Sequence, residues 1–536
     1  MVTNTQPSLF SRPRFALFCA VLAPMSVWLM TDARLARPWE VAAWGLCLAV
    51  WAICLPPRFA RWCAVGQLLA MPLTLAWLGT VAVSGTGPSF ASTASVSSGS
   101  FRVVIAAIQM AFGMPAFILA GMLSVSCALW AWRATRDMPA GMPKWTQPLV
   151  LAGLLLLSNT AMSVYPGMPQ LATFEAKVSV PWLSHLDLLK EEAGVALTRA
   201  ATGGHALEVA TRYAQDAPHL FDMPAGLAVF IVGESLRADA LMVPARGPWS
   251  RALARRLQQG LGVRLPDACS AGNATFVAVP RLMTASGNAS PAELDKKPTV
   301  LALARAAGAK TAYINNHDVW IVPELGHDDV LKTSSMEISA YDDVAIEAMS
   351  DFLVRTPERH KAVMLHLFGE HFNYEERYPA SMFPAEPAGL SKEKLLELRY
   401  ARAAENSVRH LLMVAELLDR QEDPAFLVFT SDHGENLPSD HTGKRFHAGA
   451  WVGRNDTTVP ALVLWNRAFA RSGRAESIER LVEAKGLIAH QDVAKAWLAL
   501  AGMPGIPDPS SHPTTFGASG LASQSTPDVA CADLRP

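Results

Sequence analysis

Histidine is missing from the first 184 residues of this 536-residue chain, and residues 1–175 hold only four acidic side chains against ten Lys and Arg. Imidazole chemistry therefore belongs to the second part, where all 14 histidines lie and acidic residues outnumber basic ones 43 to 36. Charge is scarce throughout, 17% of residues against 51% apolar. That composition is too apolar for an ordinary soluble enzyme and excludes a wholly disordered chain. No basic cluster accompanies the acidic second part, which excludes nucleic acid as a partner. The seven cysteines include no zinc-type pair. Five of them, Cys19, Cys47, Cys54, Cys63 and Cys127, lie in or beside apolar runs, where small polarizable side chains pack well. Only Cys269 and Cys531 are placed to meet an oxidising compartment. Their pairing is open, and the Gly/Pro/Ser-rich character of the chain from about Gly505 onward, which reads as a disordered tail over 505–536, argues against it.

What is present first is a series of five apolar stretches: Phe15–Met30, Val41–Pro57, Trp62–Val83, Val103–Trp132 and Pro148–Tyr165. Most approach the roughly 20 residues that cross a bilayer as helix, and charges fall only in their connections, so they predict a five-helix transmembrane domain over residues 1–166. Arg12, Arg14, Arg58, Arg61, Arg133, Arg136 and Lys144 lie on one side, with Arg34, Arg37, Arg102 and Lys177 on the other. This asymmetry places the N-terminus in the cytoplasm and everything after Tyr165 outside it. A linker follows over 167–223. Its segment Pro181–Glu192 has helical apolar spacing and fits either an interfacial helix or one packed on the outer domain, and a second helix is expected around Ala206–Ala214 after the break at Gly203-Gly204.

From residue 224 to 504, short apolar runs alternate with longer amphipathic ones, the pattern of a mostly parallel sheet flanked by helices. The expected strands are Leu227–Val232, Thr311–Asn315, Ala362–Leu367, Phe426–Thr430 and Ala461–Trp465. The expected helices are Thr299–Ala307, Asp342–Arg355, Lys392–Leu418 and Ser477–Leu500. Ligands in such sheets sit beyond the carboxyl ends of the strands. Three of the runs end there in chemistry: Gly233-Glu234-Ser235, Ser431-Asp432-His433-Gly434-Glu435-Asn436, and His366-Leu-Phe-Gly-Glu370-His371. Glu, Asp and His converging at one sheet edge suit a zinc ion at an open site. Asn315, Asn316 and His317, past another strand, fit either a site lining or ordinary loop chemistry. The segment Cys269-Ser-Ala-Gly-Asn-Ala-Thr275-Phe-Val-Ala-Val-Pro280 supplies a hydroxyl at the start of a helix. Thr275 is either a simple N-cap or a nucleophile whose attack on phosphorus is helped by a cation and by the helix amides.

Five N-terminal spans followed by GESLRAD, NATFVAVP, HLFGEHFNYEERYP and SDHGEN, with Val459–Trp465 and Ile488–Asp492 behind them, resemble the membrane phosphoethanolamine transferases of the alkaline phosphatase and sulfatase superfamily. The likeness covers nearly the whole chain. It implies an N-terminal α-helical membrane domain with a sulfatase-like α/β domain in the periplasm of a bacterium, anchored in the inner membrane. It implies a Zn2+ ion held by Glu234, Thr275, Asp432 and His433, with Thr275 accepting phosphoethanolamine covalently from phosphatidylethanolamine before an acceptor takes it. His371 and His447 match the family's two further histidines, which could bind phosphate, hold a second metal or protonate the departing lipid alkoxide. His441 competes with His447 for its position. His366 matches an upstream family histidine, with a structural role expected from its place inside a strand. The acceptor would be lipid A phosphate, a core sugar of lipopolysaccharide or another periplasmic glycolipid or glycan. The cysteine-poor outer domain departs from many lipid A-modifying members. Phosphoglycerol transferase or phosphodiesterase chemistry on the same site, or a non-catalytic membrane-anchored binding module, are the alternatives. The absence of Cys-x-Pro-x-Arg at the Thr275 position speaks against a sulfatase activity.

Overall fold

A computed structural model describes residues 206–216, 223–241, 247–286, 297–317, 327–332, 341–441, 445–448 and 452–503, the isolated positions 122, 126, 129, 133 and 294, and the pairs 515–516 and 529–530. Apart from Met122, Ser126 and Leu129, the five apolar stretches, the Pro181–Glu192 segment and Cys531 lie outside the described residues. No helix among the described residues is long and apolar enough to cross a membrane. The chain divides into two compact units, 1–88 with 101–191 and 89–100 with 192–536; all that follows concerns the second.

A seven-stranded mixed sheet forms its centre. Its strands are β1 (Gly226–Gly233), β2 (Gly262–Arg264), β4 (Lys310–Asn315), β5 (Asp329–Lys332), β6 (His360–His366), β7 (Ala425–Ser431) and β9 (Ala461–Trp465), in the order β2-β9-β7-β1-β6-β4-β5. A small second sheet joins β3 (Ala268–Cys269) to β8 (Thr458–Val459) on one side and β10 (Ile488–Ala489) on the other. From β5 to β7 every pairing in the large sheet is parallel, whereas β9, near one edge, pairs antiparallel with both β7 and β2. The parallel register puts the carboxyl ends of β1, β4, β6 and β7 along one rim. Both faces of β1 are buried, which is why it reads as a continuous apolar run with no alternation. Ala228, Phe230 and Val232 face a core shared with helix His490–Leu500, where Trp497 stacks on Phe230 with ring centroids 6.1 Å apart. Burial of one such aromatic ring stabilises the fold by about 2–3 kcal/mol.

The remaining helices follow the sequence closely in three cases. Val300–Ala306 starts at Thr299, whose hydroxyl accepts from the Ala302 amide; Asp343–Arg355 and the 28-residue Lys392–Asp419 occupy their expected positions. The expected helix Ala206–Ala214 is present as Ala206–Asp216. The single helix expected over Ser477–Leu500 is instead broken. A 3-10 turn (Arg474–Ile478) and a short helix (Glu479–Val482) precede Gly486 at φ +85°, a left-handed conformation that ends a helix, and β10 then pairs with β3 before the helix His490–Leu500 begins. In the tail expected to be disordered, Thr515–Phe516 pairs antiparallel with Val529–Ala530. Cys269, whose pairing the sequence left open, is disulfide-bonded.

Candidate active site

Five of the candidate side chains sit just past parallel strands. Glu234 follows β1, His317 follows β4, His371 ends the loop after β6, and Asp432 and His433 follow β7. The turn after β1 is strained: Ser235 has φ +58°, which costs a side-chain-bearing residue about 1–2 kcal/mol. It is held there because its amide donates to Asp432 Oδ1 at 3.1 Å and its hydroxyl to Glu234 Oε1 at 2.7 Å. The loop after β6 lies directly on Glu234. Gly369, at φ +43°, has no room for a side chain, since a Cβ there would stand 2.8 Å from the Glu234 nitrogen.

Thr275 is the first residue of the helix Thr275–Met283 and does not cap it; Ala274 occupies the cap position without a side-chain bond. The Thr275 hydroxyl instead donates to Glu234 Oε2 at 2.9 Å and lies 3.4 Å from His433 Nε2. The loop leading to it is fastened to the strand-end residues it must meet. Ser270 Oγ donates to the Asp432 carbonyl, and buried His490 accepts from the Ala271 amide at 3.4 Å while its Nε2 lies 3.0 Å from the Ser431 carbonyl. Burial pushes the His490 imidazole down to about 4, so it serves as a neutral brace.

Glu234, Asp432 and His433 are fully buried and mutually close, with His433 Nε2 3.4 Å from Glu234 Oε1 and 3.3 Å from Asp432 Oδ2. Burial opposes ionisation of Glu234, yet His433, His317 and His371 hold it well below the ordinary carboxylate value. Burial and the neighbouring Glu234 push Asp432 well above its own. Asp432 Oδ2 has no hydrogen-bond partner. Two buried carboxyls that cannot both ionise, one with an unpartnered oxygen beside an imidazole, fit the place of a divalent cation. The chemistry of Glu234, Thr275, Asp432 and His433 matches a borderline-soft N/O-binding ion.

His447 comes to the same cluster. Its ring centroid lies 4.1 Å from that of His433, and its Nδ1 is 3.2 Å from Glu435 Oε1. Tyr374 donates to Glu435 Oε2 at 2.9 Å. Burial opposes protonation of His447, but Glu435, Glu234 and Asp456 hold it above its ordinary value. Burial pushes His371 and His433 down to about 3. His447 is flanked by Phe446 and Ala448, both at positive φ, so strain concentrates around it as around Glu234. His441 caps the 3-10 turn Pro438–Asp440 and, among the described residues, belongs to neither group of potential metal ligands. His366 closes β6, stacks on His317 at 4.9 Å between centroids and lies 3.2 Å from the Tyr313 hydroxyl.

Glu435 and Tyr374 went unassigned in the sequence although both stand inside quoted motifs. Their partner His447 lies 12 residues beyond Glu435, and only the folded loop joins them.

A family model described as Sulfatase matches residues 227–503. The chain belongs to the sulfatase family. It is 23% identical over 274 residues to Kdo(2)-lipid A phosphoethanolamine 7''-transferase of Escherichia coli (strain K12), the match covering 48% of this chain and 46% of that protein. The Salmonella typhimurium protein of the same name matches with the same identity and coverage. The chain thus spans about half the length of the curated relatives it matches. In fold it is similar to the integral membrane protein lipooligosaccharide phosphoethanolamine transferase A from Neisseria meningitidis, with a TM-score of 0.59 at 13% identity over 91% of this chain and 95% of that one.

Proposed function

We propose that this sulfatase-family chain transfers phosphoethanolamine from phosphatidylethanolamine to a lipid A or lipopolysaccharide-core acceptor, through a covalent phospho-threonine at Thr275. The observation that carries the reading is the Thr275 hydroxyl at a helix N-terminus, hydrogen-bonded to Glu234 and facing His433. The names of the two curated relatives support the transferred group. The five apolar stretches, together with a full-length fold neighbour that is an integral membrane protein, support anchoring in the bacterial inner membrane, with the catalytic domain in the periplasm, where it meets its lipid donor at the bilayer surface.

A zinc ion held by Glu234, Thr275, Asp432 and His433 would supply positive charge that lowers the proton affinity of the threonine hydroxyl and offsets charge on the phosphoryl oxygens. Glu234 Oε2 is placed to receive the hydroxyl proton as Thr275 Oγ1 attacks phosphorus. Amides at the start of Thr275–Met283 would hold the phosphoryl oxygens. His447, with Nδ1 engaged by Glu435, has Nε2 left to protonate the departing glycerol oxygen, releasing diacylglycerol. In the second half the roles reverse: neutral His447 takes the proton of an acceptor hydroxyl or phosphate, whose oxygen attacks the phospho-threonine and frees Thr275.

Intact mass spectrometry of the full chain after incubation with phosphatidylethanolamine and zinc tests this. The expected result is an added phosphoethanolamine mass localised to Thr275 and absent in Thr275→Ala. With phosphatidylglycerol supplied alongside, an adduct of glycerol phosphate mass would instead assign phosphoglycerol transfer, and no adduct with no diacylglycerol released would overturn the transferase reading.

A further inference from the structure

Asp342 occupies the cap position of helix Asp343–Arg355, where an acidic side chain ordinarily binds the free amides, yet it makes no side-chain cap bond. Its buried carboxylate turns instead to the loops that follow β4 and β6. Oδ1 accepts from Asn316 Nδ2 and from the Phe368 amide, both at 2.8 Å, and Oδ2 accepts from the Gly369 amide at 3.0 Å. The first loop delivers His317 and the second His371. His317 Nε2 lies 3.2 Å from Glu234 Oε2, and the His371 ring stands nearly perpendicular to the His317 ring, with centroids 5.5 Å apart.

We propose that Asp342 is a positioning residue for phosphoryl transfer: its carboxylate fixes the loop that aims His371 at the phosphoryl group and ties that loop to the one carrying His317. The catalytic half of this rests on the reading of Thr275 as the nucleophile, whereas the tie does not. Phe368 and Gly369 are the hinge through which Asp342 acts. The His371 amide donates to the Phe368 carbonyl at 3.0 Å, and the His371 ring stacks on the Phe368 ring at 4.7 Å between centroids. Beyond Gly369, the Glu370 amide donates to the Glu234 carbonyl at 3.0 Å. A shift of these two residues therefore moves His371 against the strand end that holds Glu234. Asp342 has a firm base for the task, since its neighbour Asp343 takes both oxygens to Arg409 at 2.6 Å and lies 3.1 Å from His410 Nε2, both on the long helix Lys392–Asp419. The chemistry calls for a carboxylate in particular. Three N–H donors converge on its two oxygens, and an amide of the same shape, whichever way it is turned, points its own NH2 at one of them.

The tie is read first without reference to activity. In hydrogen exchange followed by mass spectrometry on the full chain in detergent, Asp342→Asn should speed exchange in the peptides holding residues 315–317 and 366–372 together, and unchanged exchange in either overturns the proposal. The consequence is read by diacylglycerol release from a fluorescent phosphatidylethanolamine with zinc present. Asp342→Asn should slow release by about 10–100-fold, and should cost severalfold less when His371 is already alanine, because the aim of a missing ring no longer matters. A residue that only stabilises the fold would cost the same factor in both backgrounds, and that result overturns the proposal, as does wild-type release by Asp342→Asn. Where His371→Ala releases no more than Thr275→Ala does, His371→Gln takes its place in the cycle. Where Asp342→Asn loses the wild-type circular dichroism spectrum, Asp342→Glu, which keeps both acceptor oxygens and displaces them by a methylene, replaces it. A wild type that releases no diacylglycerol, with exchange raised in both loops by the substitution, would sink the transferase reading and leave the tie standing.

Discussion

Replacing Glu435 with Gln should move the alkaline limb of the first half-reaction to lower pH. Glu435 lies 3.2 Å from His447 Nδ1 and, after the opposing effect of burial, is the largest influence holding that imidazole above its ordinary value. Glutamine keeps the shape and the hydrogen bond to Tyr374 but removes the charge, leaving burial to lower the His447 pKa. An opposite charge at this range moves a pKa by about 1–3. If His447 must be protonated to release diacylglycerol, rate falls as pH rises through its pKa. On that alkaline side, lowering the pKa by about 1 cuts the protonated fraction about tenfold, equivalent to about 1.4 kcal/mol. The variant should therefore be roughly ten- to a thousandfold slower at alkaline pH and close to wild type on the acid side. The assay is diacylglycerol release from a fluorescent phosphatidylethanolamine, followed from mildly acid to mildly alkaline pH. A p-nitrophenyl phosphoethanolamine substrate, whose leaving group needs no proton, serves as the control. Superimposable pH profiles of wild type and variant, or an equal loss on the nitrophenyl ester, would refute the role assigned to His447.

Three further outcomes follow from the geometry. Gly369→Ala, which places a Cβ 2.8 Å from the Glu234 nitrogen and 2.9 Å from its carbonyl oxygen, should weaken zinc binding or turnover by about 10–100-fold with an unchanged circular dichroism spectrum; wild-type values for both would show that the loop gives way. Burial holds His490 at about 4, below its unfolded value near 6.5. The unfolded chain thus binds the extra proton between those values, and stability present at neutral pH is lost as pH falls through that window, by on the order of 3 kcal/mol. His490→Gln should accordingly lie closer to wild type in thermal midpoint at about pH 5 than at about pH 7, and a constant gap would contradict this. Reducing the disulfide at Cys269 should lower the melting temperature in keeping with about 2–4 kcal/mol, and an unmoved midpoint under strong reductant would deny it a stabilising role.

The rim of the sheet was legible in the sequence because a buried parallel strand announces itself as an apolar run and its ligands follow within a few residues. Glu234, Asp432, His433 and His371 do stand just past the strand ends where the sequence put them, and Ala461–Trp465 was bounded to the residue. The elements missed were those whose cause is distant. Helix Pro248–Gln258 has Gly247 at its cap position with no side-chain bond of its own; its first amides donate to Glu405 Oε1, at 2.9 and 3.1 Å, from more than 150 residues away. The edge strands Gly262–Arg264 and Asp329–Lys332 are too short to carry a period.

Chemical type was thus set locally: which residues can ligate, attack or move a proton, and at which strand end each stands. The tertiary structure decided the choices that depend on contact. Thr275 bonds Glu234 instead of capping its helix, His447 and not His441 meets Glu435, and Asp342 ties the His317 loop to the His371 loop. A strand-end motif fixes where a side chain begins, but its partners arrive from other strands, and their distances exist only once the sheet has set the register.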